Sequence, residues 1–305
     1  MQRSCPICQT QAARARIFLN ENLDSERLTA FSYASRKSPE YMCLRMLQCP
    51  TCDLVFADEP PAQDELAHAY ELADYDSSEE ALDAASAYLI AVKPILERLR
   101  SRRSALEIGT GTGVFLELLQ TQGFDELVGV EPSAAAIAAA PPHRRSWIRQ
   151  GVFDESQFAP ESFDLICCFM TLEHVRNPAD IAQAAMRLLR PGGAFVSVTH
   201  NYRSLVNRLL GRRSPIVDIE HMQLFSRLSI RALLDRSGYE SVESATFRNA
   251  YALRYWLRLS PLPDGLKRVA GRLAEKAGLA SRKLSVDVGN QIASGFKPTH
   301  ASKSP

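Results

Sequence analysis

Two groups of residues in this 305-residue chain have the types and spacing to do chemistry. The first is Leu106-Glu107-Ile108-Gly109-Thr110-Gly111-Thr112-Gly113, followed about twenty residues later by Val128-Gly129-Val130-Glu131. The pattern reads as a buried strand, a glycine-rich turn, a helix and a second strand ending in a carboxylate. Gly109, Gly111 and Gly113 let the backbone turn tightly and approach a nucleotide with no Cβ in the way. Glu131 stands where an acidic residue accepts hydrogen bonds from ribose hydroxyls. A dinucleotide fingerprint needs a third glycine three positions after the second, and position 114 is Val. The run is instead Glu-x-Gly-x-Gly-x-Gly. A carboxylate opening the loop suits a pyrophosphate poorly and suits a nucleoside with a cationic, amine-bearing tail, the chemistry of S-adenosylmethionine.

The second group is Cys5-Pro6-Ile7-Cys8 and Cys49-Pro50-Thr51-Cys52. Two residues between cysteines allow a tight turn to aim both sulfurs at one ion, and two such knuckles complete a tetrahedral four-cysteine site for Zn2+. Four thiolates leave no open position, so the site reads as structural, and the metal would supply much of the folding free energy of so small a module. The long segment between the knuckles requires extra strands or a loop. Cys43 is off-pattern and reads as a packed thiol, as do Cys167 and Cys168 in an apolar strand.

The elements that must position these groups follow from periodicity and punctuation. Residues 1–60 form the zinc-ribbon module, closed by Pro60-Pro61. Residues 61–100 form a helical linker, with helices at Glu65–Tyr70 and Ala81–Arg100 and a break at Asp74–Ser78. Residues 101–249 alternate strands (105–108, 127–130, 147–150, 163–169, 194–199, 241–247) with helices (113–122, 133–140, 178–189, 226–237), and Pro191-Gly192-Gly193 is a turn. That alternation implies an α/β fold, a doubly wound Rossmann-like sheet covered on both faces, with ligands beyond the carboxyl ends of its strands. Residues 250–305 carry two amphipathic helices, 251–259 and 265–283, and a last strand, 290–296, able to pair with 241–247. The helices would then be an insertion hanging over the ligand end of the sheet.

Composition narrows the function classes. A net charge of +1 gives no bulk attraction for nucleic acid. Arg14, Arg16, Arg27, Arg36 and Lys37 between the knuckles are mixed with Glu21, Asp24 and Glu26. No apolar run reaches the roughly 18 to 20 residues of a membrane span. The N-terminus lacks an apolar signal region, so a cytoplasmic location is expected, and the cysteine usage fits a reducing compartment. The basic helices around Lys267, Arg268, Arg272 and Lys276 admit three readings: a lid that attracts an anionic acceptor, a peripheral contact with an anionic membrane, or solvated faces.

The strand-turn run at 106–113, Gly129-Val130-Glu131-Pro132-Ser133, Ser162-Phe163-Asp164-Leu165-Ile166, Leu172-Glu173-His174-Val175, Leu188-Leu189-Arg190-Pro191-Gly192-Gly193, Glu220-His221-Met222-Gln223-Leu224-Phe225-Ser226 and Ser237-Gly238-Tyr239 occur in family order. Together they resemble the class I S-adenosylmethionine-dependent methyltransferases, in the subgroup containing the ubiquinone-biosynthesis O-methyltransferases. An N-terminal four-cysteine module fused to such a domain is also similar to the deoxysugar C-methyltransferases. The resemblance implies that Glu107 and the loop at Gly109, Gly111 and Gly113 hold the methionine end of the cofactor and that Glu131 binds its ribose. Val152 to Asp154, including Phe153, would border the adenine, although the family has an acidic residue directly after the glycine, where this chain has Val152. Phe169 and Met170 would line the sulfonium pocket. Some relatives add a carboxylate upstream of the Glu-His pair for a divalent cation; Met170, Thr171 and Leu172 supply none, so no catalytic metal is expected.

Methyl transfer from a sulfonium is an in-line displacement, accelerated chiefly by holding acceptor and methyl aligned in a dry site. A hydroxyl or carbon acid also needs a proton removed, usually by His, Glu or Asp. His174, after the fourth strand of the sheet, and His221, in a segment able to cover the acceptor, are the candidates. The alternative for His174 is a loop-shaping residue, and for His221 a structural hydrogen bond. The reading is a methyltransferase acting on a small-molecule acceptor, with a sugar or glycan precursor suggested by resemblance. The alternatives are an RNA methyltransferase and a non-catalytic scaffold keeping the fold. Oligomeric state is not legible.

Overall fold

Leu106, Ile108, Leu127, Val130, Leu165, Ile166, Phe195 and Val196 are all buried, as strands covered on both faces require. The computed structural model describes residues 3–28, 32, 40–72, 79–260 and 262–299. In chain order the strands are β1 (Arg16–Leu19), β2 (Met46–Gln48), β3 (Val55–Ala57), β4 (Ser104–Ile108), β5 (Glu126–Glu131), β6 (Ile148–Gln150), β7 (Phe163–Phe169), β8 (Leu189–His200), β9 (Gln223–Leu224), β10 (Glu240–Thr246), β11 (Asn249–Ala252), β12 (Lys283–Val286) and β13 (Asn290–Phe296). The α-helices are α1 (Gln63–Glu71), α2 (Glu79–Leu96), α3 (Val114–Gln120), α4 (Ala134–Ala139), α5 (Pro142–Arg145), α6 (Pro178–Leu188), α7 (Leu205–Leu210), α8 (Arg227–Arg236), α9 (Leu253–Leu259) and α10 (Asp264–Lys276).

Seven strands form the main sheet in the order β10-β13-β8-β7-β4-β5-β6. Its centre is parallel, and β13 is antiparallel to both β8 and β10. The sheet is a doubly wound Rossmann-like one. The order reverses beside β4, which pairs with both β5 and β7, so the crevice beyond its carboxyl end is the ligand position. One face is covered by α6 and α8, the other by α2 and α3 with Tyr251 and Tyr255 from the tail.

The last strand pairs with β10, as its sequence suggested, but it does so by inserting between β10 and β8. Three further differences have local causes. Pro191-Gly192-Gly193 is not a separate turn: β8 runs through it because Gly192 N–H donates to the Lys297 carbonyl and Lys297 N–H to that of Gly193. The tail helices are shorter than their amphipathic stretches, since residues 249–252 and 283–286 pair as the β11–β12 hairpin. The expected break at Asp74–Ser78 lies outside the described residues, as do Arg36 and Lys37.

The small sheet carries the main surprise. Its order is β1-β2-β3-β9, so its fourth strand comes from beyond β8 rather than from the N-terminal module. Cys5, Ile7, Leu47, Leu54 and Phe56 pack in the same core as α6 and α8. A fully buried Leu or Phe contributes about 1.5–3 kcal/mol, so this shared core anchors the knuckles to the main sheet. Among the described residues no helix is long and apolar enough to cross a membrane.

Candidate functional site

A cavity of about 750 Å³ opens beyond the carboxyl ends of β4, β5 and β7. Its floor is the glycine loop. Gly109 and Thr110 N–H both donate to the Val130 carbonyl, at 2.9 and 3.1 Å, which folds the loop over the end of β5. Gly109 has φ +77°, and a Cβ there would run into the Thr171 side chain. Gly111, with φ +57°, donates its N–H to Glu131 Oε2 at 2.7 Å, and Ser133 N–H donates to Oε1 at 2.9 Å. Each carboxylate oxygen can accept more than one hydrogen bond, so this arrangement fixes Glu131 and leaves acceptor capacity for a ligand diol. Burial pushes the Glu131 carboxyl above its ordinary value, and the two N–H donors only partly offset that. Glu107, buried at the end of β4, accepts from the Thr110 hydroxyl and lines the cavity beside the loop.

The aromatic side of the pocket starts at Phe169, which meets Phe115 edge-on at 4.7 Å and Tyr88 at 5.0 Å. Met170 follows in the left-handed region, φ +49°, its N–H bonded to the Val198 carbonyl. Gly151, Val152 and Phe153, the last two expected beside the adenine, line the same cavity. Asp154 does not. Its carboxylate caps a 3-10 turn through Ser156 N–H and Oγ, at 2.9 and 2.8 Å, which hold its pKa low. This is the Asx geometry that an Asp-x-Ser sequence favours.

The histidines separated by 47 positions in sequence come together. The His174 and His221 rings lie 4.9 Å apart, and His200 lies 5.5 Å from His221. Met222 and Gln223 N–H both donate to the Glu173 carbonyl, while the Glu173 carboxylate accepts the His200 N–H at 2.6 Å. Three loops are thereby stitched into one wall. His174 Nδ1 is 3.2 Å from the Glu220 carbonyl and His221 Nδ1 is 2.9 Å from that of Ile216. A carbonyl only accepts, so both rings carry their proton on Nδ1.

Sequence reasoning missed the opposite wall. Tyr251, Tyr255 and Trp256 pack with ring centroids 4.6 to 6.1 Å apart and line the cavity with Asn249 and Asn290. Asn290 Nδ2 donates to Asn249 Oδ1 at 3.1 Å, and Asn249 Nδ2 donates to the Tyr251 hydroxyl at 2.9 Å. Asn290 Oδ1 is buried with no partner among the described residues. The available signal was the aromatic density at 251–256, which amphipathic periodicity alone assigned to a helix face.

A family model described as a methyltransferase domain matches residues 81–244, more than half of the chain. The chain belongs to the class I S-adenosylmethionine-dependent methyltransferases. The chain is similar to the ubiquinone biosynthesis O-methyltransferase of Methylococcus capsulatus, 35% identical over 35% of this chain and 47% of that protein. It is 21% identical to the enzyme of the same name from Photobacterium profundum, over 51% of this chain and 72% of that one. The chain spans about half the length of most of these curated relatives, 47% for that of Sodalis glossinidius. A Thermotoga maritima structure titled as a methyltransferase and possible histamine N-methyltransferase is 20% identical, with TM-score 0.48, over 72% of this chain and 91% of that one.

Outside the matched region, the fold brings the four knuckle cysteines together. The sulfurs of Cys5, Cys8, Cys49 and Cys52 all lie within 4.8 Å of one another, with Cys5–Cys52 and Cys8–Cys49 at 3.4 Å. Zn–S bonds of about 2.3 Å in a tetrahedron place sulfurs about 3.8 Å apart, so the cluster fits such an ion. Cys43, Cys167 and Cys168 stand apart as buried thiols whose pKa values burial raises.

Proposed function

We propose that this protein transfers the methyl group of S-adenosylmethionine to a small polyhydroxylated acceptor, a sugar or glycan precursor being the best-fitting class. The observation that carries the donor half is Glu131, held by Gly111 and Ser133 N–H at the end of β5 with the glycine loop folded over it. In this reading Glu131 takes the ribose diol, Glu107 and the loop backbone take the methionine end, and Val152 and Phe153 flank the adenine. Phe169 and Met170 dry the space around the sulfonium, which strengthens electrostatics there and keeps the methyl from water.

The acceptor half is supported by the two walls beyond Phe169. Tyr251, Tyr255 and Trp256 offer ring faces and edges against which a sugar ring packs. Asn249 and Asn290 offer amides, and the unsatisfied Asn290 Oδ1 calls for a donor such as a ligand hydroxyl, because a buried polar atom left unpaired costs about 1–3 kcal/mol. The acceptor's proton leaves at the His174–His221 wall. The four-cysteine cluster would hold a structural Zn2+ and lend rigidity rather than chemistry.

The test is calorimetry with S-adenosylmethionine followed by a labelled-methyl screen over nucleotide-linked sugars, free sugars and phenols. Micromolar donor binding with label in a sugar fraction supports the reading. Absence of donor binding at millimolar concentration overturns it, and label confined to phenols overturns the acceptor class.

A further inference from the structure

Helix α10 turns its apolar side outward. Leu266, Val269 and Leu273 are 55, 54 and 61% exposed. At 3.6 residues per turn the three share one arc of about 60°. The less exposed side, toward α9, is built of Ala270, Gly271 and the buried Ala274, and Lys267 on that side donates to the Arg258 carbonyl at 3.0 Å. Leu262 and Leu279, just beyond the two ends of the helix, are exposed as well. Charge is sorted too: Arg272 and Lys276 follow the apolar arc on one flank, while Asp264 and Glu275 fall on the opposite side of the helix. From this arrangement we propose that α10 docks the protein on an anionic lipid bilayer, with its leucine arc at the boundary of headgroups and acyl chains and Arg272 and Lys276 against the phosphates.

The structure separates the roles open to these basic helices on sequence. A lid lines the cavity it covers, and among the described residues none from 264–276 lines this one. A solvated surface helix buries its leucines and exposes its charge, whereas α10 exposes both. The apolar arc therefore calls for a partner, and the flanking charge says which. A second copy laid antiparallel across the arc would set the Arg272–Lys276 flank against its own like charge. Three side chains also fall far short of the roughly 1,000 Å² that a stable protein interface buries. Anionic headgroups attract the same flank, each Lys or Arg near the surface being worth about fivefold in partitioning. The 13 residues of α10 suit a helix lying in the plane of the interface rather than one crossing it. The helix stands outside residues 81–244, the stretch shared with the methyltransferase domain, so docking is this chain's own addition and does not rest on the methyl-transfer reading.

The test sediments full-length protein with vesicles of phosphatidylcholine alone, and with vesicles in which about a third of the lipid is phosphatidylglycerol. The expected result is binding to the anionic vesicles at least about tenfold tighter than to the neutral ones, and weaker as salt screens the charge. A Leu266→Gln/Leu273→Gln variant and an Arg272→Gln/Lys276→Gln variant each weaken that binding about tenfold or more. All four positions are exposed and Gln is a good helix former, so both variants keep the thermal midpoint and the S-adenosylmethionine affinity of the parent. No sedimentation with either vesicle, equal affinity for both, or binding unchanged in the leucine variant overturns the proposal. A concentration-dependent dimer without vesicles that the leucine variant abolishes gives the arc to a second copy and overturns it as well. Failure of the parent protein to bind S-adenosylmethionine would sink the methyl-transfer reading alone.

Discussion

In the proposed function Glu131 carries the most in one side chain. Its carboxylate ties Gly111 to Ser133 and lines the cavity, so removing it costs the loop's shape as well as the proposed ribose contact. Glu131→Ala is expected to weaken S-adenosylmethionine binding by about 100-fold, as two charge-assisted hydrogen bonds at about 1.5 kcal/mol each imply; unchanged affinity by calorimetry would remove the ribose role. Burial raises the carboxyl above its ordinary 4.5, so free protein retains the proton to a higher pH than the unfolded chain does. The sign follows: folding stability declines as pH rises through that window. Donor affinity moves the other way, because ribose hydroxyls bind the charged form: it climbs with pH through the raised pKa and then levels off. Glu131→Gln should flatten that profile. On the acceptor side, His174→Ala and His221→Ala are expected to keep donor binding while at least one loses turnover about 10²- to 10⁴-fold. Full turnover in both would take proton removal away from this wall.

At the scale of elements, what was legible in the sequence was what is local. The run 106–113 and Glu131 specify strand, turn, helix and strand through contacts within about twenty-five residues, and β4, α3 and β5 follow the expected bounds closely. Asp154 shows the limit of local reading: it stands at the right distance from the glycine loop, but Ser156, two residues on, captures its carboxylate. β9 is only Gln223–Leu224, too short for any alternation, and exists because β3 offers it an edge. The β11–β12 hairpin likewise depends on pairing across more than thirty residues. One clasp between elements has an energetic consequence. Arg203, just past β8, pairs with Asp53 of the second knuckle, and Tyr202 bonds both the Asp53 carbonyl and Gln48. Burial alone would raise the Asp53 carboxyl, but hydrogen bonds from Arg203, Ser226, Tyr202 and Gln48 hold it below its ordinary value. Arg203 is half exposed, so solvent screening limits the pair to about 1 kcal/mol. Arg203→Ala should therefore lower the thermal midpoint by only a few degrees, and the loss should shrink as pH falls through the depressed Asp53 titration. A pH-independent loss would assign the effect to packing.

For the whole molecule, the shared strand ties the cysteine module to the histidine wall. β9 pairs with β3, and β3 directly follows the Cys49–Cys52 knuckle. Immediately before β9 stand Glu220, His221 and Met222, and Met222 both receives the Ala57 N–H and donates to the Glu173 carbonyl. A path of backbone hydrogen bonds thus runs from the knuckle to the histidine wall. Among the described residues no such backbone hydrogen-bond path reaches the glycine loop, which is held by Val130 and Glu131 of the main sheet. If the cysteines hold Zn2+ as proposed, stripping it should consequently split the two half-sites. The small module loses folding free energy when its ion leaves, β3 frays, and amide exchange rises at Gln223–Phe225 and at His174. S-adenosylmethionine affinity stays within about threefold, since the sheet face under α2 and α3 keeps a core without the module, while acceptor turnover falls by an order of magnitude or more. Hydrogen exchange with and without a zinc chelator, read beside donor calorimetry, checks this. Equal loosening at Gly109–Gly113 would mean that the metal supports the entire fold, and unchanged exchange at Gln223–Phe225 would mean that β9 is held by the main sheet alone.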